Sequence, residues 1–234
     1  MKILVIAHDS RVTGGANRSL FMILKGLKNK YNAEIEVLVP YRKGKLNEEL
    51  ESIGIKWHYF FPYFGVISSI RKDGKDILRI LKVYCGYVIE ILLSVIAARK
   101  FKNSNFDIVY TNTRMPIVGA KIAKKIKIPH VCHVREFGAA ITLWGFWGYK
   151  QLYKQCDKII CISNALHKKF DSEVKDKENK VITIHNGIES PMGLKYNLNK
   201  NKDTFDLILV GRIVPDKGHE DAIKAMKILV EKRL

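Results

Sequence analysis

Acidic side chains are scarce in this chain: Asp and Glu number 23 against 41 Lys and Arg, a formal net charge of +18 over 234 residues. A surface with that imbalance attracts anions such as phosphates, nucleic acid or acidic lipid head groups. The basic residues, among them Lys28, Lys30, Lys43, Lys45, Lys121, Lys124, Lys125, Lys127, Lys168 and Lys169, are scattered and form no long arm. That argues against nucleic acid as a partner and favours a membrane surface. Cysteine is also sparse. Cys85, Cys132, Cys156 and Cys161 include no C-x-x-C pair, and three of them lie in or beside apolar strand-like runs, so buried free thiols are expected. The amino end lacks the basic head and small-residue cleavage site of a signal peptide, because residues 1–7 run directly into a strand pattern. The expected location is therefore the reducing cytoplasm, peripheral on the inner face of the plasma membrane where a membrane surface is engaged.

Long uncharged runs are missing as well. The segment 77–98 comes nearest, yet Arg79, Lys82 and Glu90 interrupt it, so it falls short of the roughly 18 to 20 residues that cross hydrocarbon. Ile77, Leu78, Leu81, Val88, Ile91, Leu92, Val95 and Ile96 recur near helical spacing, which predicts a long helix with a broad apolar face. Packing on a sheet and docking at a membrane interface both account for that face. Residues 57–64 (Trp57, Tyr59, Phe60, Phe61, Tyr63, Phe64) and 144–149 (Trp144, Phe146, Trp147, Tyr149) add aromatic clusters flanked by Arg71, Lys72 and Lys150. These suit a bilayer interface or a core.

What is present is an alternation. Apolar strand-like runs at 3–7, 35–39, 55–60, 108–111, 130–133, 158–162 and 181–184 alternate with helical patterns at 16–28, 46–52, 76–100, 116–126, 146–155 and 164–170. Val- and Ile-rich runs too apolar to be half exposed predict an α/β fold with a Rossmann-like, doubly wound parallel sheet covered on both faces. After residue 188 the composition turns polar. The expected organisation is a first domain at 1–188, a linker at 189–204, and at 205–234 a strand (205–210) followed by a helix (219–232) that opens a second Rossmann domain.

Parallel sheets collect ligands at the carboxyl ends of their strands, where loops and helix N-termini present unpaired N–H groups. After the first strand stand Gly14, Gly15, Asn17 and Arg18, and the glycine pair serves either a tight turn or the close approach of a ligand. The G-x-G-x-x-G spacing of a dinucleotide fingerprint is absent, and Val39, Pro40 and Tyr41 stand where an acidic residue would close the second strand, which counts against a nicotinamide-dependent oxidoreductase. After the fifth strand come His133, Arg135 and Glu136, three ionisable groups that need a cleft or partners. Ser163 and Asn164 follow the sixth strand and Asn186 and Gly187 the seventh; capping and turn formation explain these without a ligand. Gly211, Arg212 and Lys217 precede the last helix, where a forked guanidinium, a mobile ammonium and backbone N–H groups suit a diphosphate.

Taken in order, GGANRSL at 14–20, HVREF at 133–137, ISN at 162–164, HNGI at 185–188 and VGRIVPDKG at 210–218 resemble glycosyltransferase family 4 enzymes of the two-domain GT-B fold. The resemblance implies a retaining hexosyltransferase that moves a sugar from a nucleotide-sugar donor to a saccharide or lipid-linked acceptor, without metal or other cofactor. It implies that Arg212 and Lys217 stabilise the leaving diphosphate, that Gly14 and Gly15 approach the phosphates or acceptor, that His133 lines the sugar site and that Asn186 marks the cleft. A bacterial-type role in surface polysaccharide synthesis follows if the acceptor is membrane-borne. The family's donor domain is far longer than residues 205–234, so a truncated donor domain with little activity alone is expected. The alternatives are a split subunit with a complementary chain, or a non-catalytic module that binds a phosphate-bearing ligand.

Overall fold

The run KILVI at Lys2–Ile6 forms β1, and Leu4, Val5 and Ile6 are completely shielded from solvent. Successive side chains of a strand point to opposite faces, so burial of neighbours places β1 in the middle of a sheet covered on both sides. The computed structural model describes residues 1–11, 14–60, 76–114, 116–137, 148–188, 207–211, 213 and 217–232. Expectations that involve the aromatics at 61–64 and 144–147, Arg71, Lys72, the linker and Arg212 lie outside the described residues.

From β1 the chain passes through α1 (Gly15–Tyr31), β2 (Glu34–Val39), α2 (Lys45–Ser52) and β3 (Lys56–Tyr59) to one edge of the sheet. The long helix α3 (Asp76–Phe101) leads to β4 (Ile108–Asn112), which pairs with the other side of β1. Then α4 (Val118–Ile126), β5 (His130–Val134), α5 (Tyr149–Gln155), β6 (Lys158–Cys161), α6 (Asn164–Val174) and β7 (Val181–Thr183) extend the sheet away from β1. All seven strands are parallel, in the order β3-β2-β1-β4-β5-β6-β7. The order reverses between β1 and β4, and the crevice above that pair is where this architecture receives ligands.

Helices α1 and α2 cover the face presented by Ile3, Val5, Val37 and Val39, with Leu20, Leu24, Leu46 and Leu50 as the inserted side chains. Helices α3 and α4 cover the opposite face, where Leu4, Ile6, Leu38 and Val109 meet Ala97, Ala98, Phe101, Val118 and Ile122. Phe170, Leu166, Ile159, Val134 and the buried Cys132, Cys156 and Cys161 close the β5–β7 end, and Cys85 is exposed. Two members of the first aromatic cluster belong to this interior. Phe60 is buried, and Trp57 packs on the α1–α2 core with its indole N–H donated to Glu51 at 2.9 Å.

Helix α3 differs from its sequence reading. Its covered face consists of Gly86, Glu90, Ser94, Ala97, Ala98 and Phe101, whereas Leu78, Leu81, Val88, Leu92 and Ile96 point to solvent. Helix α4 lies close on the sheet, where Gly119 leaves no room for a Cβ against the Thr111 hydroxyl of β4. Glu90 adds an unusual cap: its Oε1 accepts the N–H groups of Ile117 and Val118 at 3.0 and 3.1 Å, supplying the acceptor that α4 lacks locally.

The chain divides into two compact units, Met1–Ile188 and Glu189–Leu234. In the second, α7 (His219–Glu231) starts from Gly218, whose φ of 69° lies in the left-handed region open to glycine. Leu207, Ile208, Leu209 and Val210, expected as a strand, are exposed and make no ladder among the described residues. A strand needs a paired neighbour, and this unit offers no second apolar run of that length.

Burial raises the Glu90 carboxyl from 4.5 to about 8, the two N–H donors offsetting only part of the shift. The folded chain therefore holds a proton that the unfolded chain releases, so this group's stabilisation is complete below pH 4.5 and is lost as pH rises through 8. Glu90→Gln keeps an acceptor for α4 and cannot titrate. Urea unfolding of the variant should show stability on the order of 4 kcal/mol above the wild type at pH 8, and little difference at pH 4.5. Parallel stability curves for the two proteins would contradict this account.

Candidate functional site

The first loop, after β1, is held down by backbone. Ser10 is buried, its carbonyl accepts from Leu46 N–H at 3.2 Å, and a Cβ on Gly44 would run into that same carbonyl. The loop is thus pinned to the start of α2 and delivers Gly14 as the N-cap of α1. Gly14 has φ −82°, which any residue adopts, so the tight-turn explanation for this glycine loses its basis. Both Gly14 and Gly15 face open space, since a Cβ at either would meet nothing within 4 Å. Gly14 and Gly15 are exposed and no side chain caps this helix start, which leaves it open to the approach of a ligand.

Register brings the neighbouring strand ends alongside. Asn112 at the end of β4 pairs with His133 of β5, and Thr113 N–H donates to the His133 carbonyl at 2.9 Å. Thr113 has φ 78°, a left-handed conformation that costs a β-branched residue about 1–3 kcal/mol. Strain of that kind persists where surrounding bonds enforce it, and here it turns the chain sharply at the rim of the crevice.

Arg135 ties the site together. Its Nε donates to Asn112 Oδ1 at 2.6 Å, its Nη1 to Ser19 Oγ and Asn186 Oδ1 at 2.9 Å each, and its Nη2 to His133 Nδ1 at 3.3 Å. Ser19 also donates to Asn186 Oδ1 at 3.0 Å, and Asn112 donates to the Ala16 carbonyl at 3.3 Å. One guanidinium therefore joins α1, β4, β5 and the segment after β7. These four acceptors are neutral, and among the described residues no carboxylate lies within salt-bridge distance of the guanidinium. Its charge remains available to an anion.

The same contacts assign the tautomer of His133. A guanidinium only donates, and the Tyr110 hydroxyl lies 2.5 Å from the same Nδ1, so Nδ1 is the acceptor and the proton sits on Nε2. That Nε2–H is buried and has no hydrogen-bond partner among the described residues. Burial first, and then the Arg135 cation, push the imidazole down from 6.5 to about 3, so it is neutral at physiological pH. Glu136 is driven the other way, its carboxyl raised by burial against the opposing pull of Arg114 and Arg135. His8, half buried after β1, is lowered by burial.

The remaining candidates separate by position. Asn17 is buried in the first turn of α1, and Arg18 is exposed with its N–H bonded to the Gly14 carbonyl. Ser163 accepts from Leu166 N–H at 3.2 Å as the N-cap of α6, and Asn164 and Gly187 are exposed. Lys217 is exposed just before α7, and Gly211 lies 3.5 Å from the His219 ring by its would-be Cβ. Ser19, Tyr110 and Asn112 did not stand out in the sequence. Asn112 had a usable signal, as the first amide after the apolar run IVYT, but Ser19 and Tyr110 are ordinary helix and strand residues until the fold joins them to Arg135 and His133.

A family model described as Glycosyltransferase Family 4 matches residues 13–190. The chain belongs to glycosyltransferase family 4. An uncharacterized glycosyltransferase of Methanocaldococcus jannaschii is 28% identical over 199 residues, covering 72% of this chain and 54% of its own length. The chain thus spans about half the length of the curated relative that it matches. Among solved structures, a glycosyltransferase from Rickettsia africae is similar with TM-score 0.55 at 19% identity, over 80% of this chain and 43% of that one. The Anabaena protein HepE, solved in complex with UDP and glucose, gives TM-score 0.53 at 20% identity, over 80% and 45%. The parallel sheet with flanking helices matches the Rossmann-like fold of these GT-B neighbours. Family membership sets aside the oxidoreductase alternative.

Replacing Arg135 by Gln removes the cation that faces His133 and leaves the burial in place. The imidazole should then titrate above 3 yet below 6.5, read from its ring protons by NMR. For a lowered histidine, stability is intact above pH 6.5 and is lost as pH falls, so the variant should also resist acid over part of that window better than its melting point at pH 7 suggests. An imidazole pKa unchanged by the substitution would show that the guanidinium does not govern this site.

Proposed function

We propose that this family 4 chain takes part in moving a hexosyl group from a nucleoside-diphosphate sugar to a saccharide acceptor, with retention at the anomeric carbon and without a metal ion. The observation that carries this reading is the Arg135 cation, hydrogen-bonded at the β1–β4 crevice to neutral groups among the described residues, beside a neutral His133 whose Nε2–H has no described partner. A phosphate-bearing sugar answers both features, since its phosphate oxygens accept from guanidinium and helix N–H groups and its hydroxyls accept from imidazole. The complex of the Anabaena neighbour with UDP and glucose supports the same ligand class.

In this reading His133 donates Nε2–H to a sugar oxygen, while Arg135 holds the imidazole neutral and correctly turned. Gly14 and Gly15 admit phosphate or acceptor to the start of α1, and Asn186 positions Arg135. Glu136, poised by burial towards its protonated form, polarises the rim of the acceptor side. Arg212 and Lys217 of the second unit offset the charge that builds on the departing diphosphate, replacing a metal in that role. The acceptor is a lipid-linked saccharide presented at the inner membrane face, as in bacterial-type surface polysaccharide synthesis.

The test is a ligand panel on the purified chain, followed by amide NMR at Gly14, Ser19, Asn112 and Arg135. Nucleoside-diphosphate sugars should perturb these positions, NAD should not, and Arg135→Gln should weaken binding about tenfold or more by removing a charged hydrogen-bond donor. Selective perturbation by NAD, or no loss in the variant, would overturn the assignment.

A further inference from the structure

Helix α3 has two unlike sides, and the described residues of the fold cover only one. The covered side is the small and polar one, whereas Leu78, Leu81, Val88, Leu92 and Ile96 form an outward stripe at spacings of three, four or seven or eight residues, with exposures of 71, 54, 52, 61 and 60%. Isolated exposed leucines are ordinary, but a continuous row over more than four turns, together with Ile89, is a patch with a purpose. No helix among the described residues is long and apolar enough to cross a membrane, so the row is not part of a span.

Charge identifies what covers it. The row ends at Arg99 and Lys100 in the last turn of α3, with exposed Lys102 directly after. The adjoining helix α4 carries Lys121, Lys124 and Lys125 and ends on the exposed Lys127, and its sequence VGAKIAKKI has no acid. Glu90, the one acidic side chain described on the two helices, is buried. An apolar strip beside cations, with no exposed carboxylate among the described side chains of the two helices, is complementary to an anionic lipid surface: acyl chains receive the leucines, and head-group phosphates receive the lysines.

We propose that α3 lies in the head-group plane of an anionic bilayer, with its outward row inserted and the lysines of α4 resting on the lipid phosphates. This rests on, and makes specific, the membrane-borne acceptor in the proposed function. Of the described aromatic-cluster members, Phe60 is buried, Trp57 packs on the α1–α2 core, the Tyr149 ring lies 4.7 Å from that of Phe170, and the exposed Tyr59 ring is covered by the Arg42 guanidinium at 4.5 Å.

The experiment is co-sedimentation of the full 234-residue chain with vesicles of phosphatidylcholine alone or with added phosphatidylglycerol, without any sugar ligand. The chain should bind the anionic vesicles and leave the neutral ones. Leu92→Gln with Ile96→Gln should cut binding by about tenfold or more at an unchanged melting temperature, and Lys124→Glu with Lys125→Glu should cut it chiefly at low salt. No binding to anionic vesicles, undiminished binding by the Gln pair, or a dimer in light scattering that the Gln pair dissolves without any vesicle binding would each overturn the proposal. Vesicle binding by a chain that ignores nucleotide sugars would uphold it while removing the transfer reading.

Discussion

A sheet whose strands all run the same way has no hairpins, so every return passes over a face, and both faces must be apolar to receive the returning helices. Residues 1–188 are organised by that constraint. The core of β1 excludes water on both sides, α1 and α2 seal one face, and α3 and α4 seal the other. Because the chain begins in the centre and later crosses back through α3, the order reverses between β1 and β4. The crevice above that reversal is a by-product of topology. The hydrogen-bond network of Arg135 and His133 is placed at it.

What distinguishes the crevice is a cation supported by neutral groups. A buried guanidinium paired with a carboxylate would be electrically spent. Arg135 is instead oriented by Asn112, Ser19, Asn186 and His133, so its geometry is determined while its charge is not. The same cation, with burial, keeps His133 neutral and makes Nε2 the protonated nitrogen, which converts a common switch residue into a constant donor at working pH. The arrangement lies within residues 13–190, the stretch that the family 4 model matches.

The two faces of α3 show how misleading a helical pattern is when read without its neighbours. Periodicity says that large apolar residues recur on one side, and the ordinary inference places that side inward. Here the inner side is built largely from Gly86, Ser94, Ala97 and Ala98, and a buried carboxyl at Glu90 serves as the acceptor for the α4 N-terminus. Leu78, Leu81 and Leu92 face outward instead. They are then available for a surface that tolerates them.

The sequence by itself determined the alternation of strands and helices and the parallel sheet, because two-sided burial leaves unbroken Val and Ile runs that no other fold class needs. It also marked His133, Arg135 and Asn186 as strand-end polar residues, since polar groups directly after such runs have few other reasons to be there. Tertiary structure alone decided which of them meet. Ser19 and Arg135 are 116 positions apart and become hydrogen-bonded only when α1 and β5 share one edge of the sheet. It likewise decided which side of α3 faces in and that Gly14 looks onto open space, because orientation and clearance depend on the distance to another element, and no local pattern of residues encodes that distance.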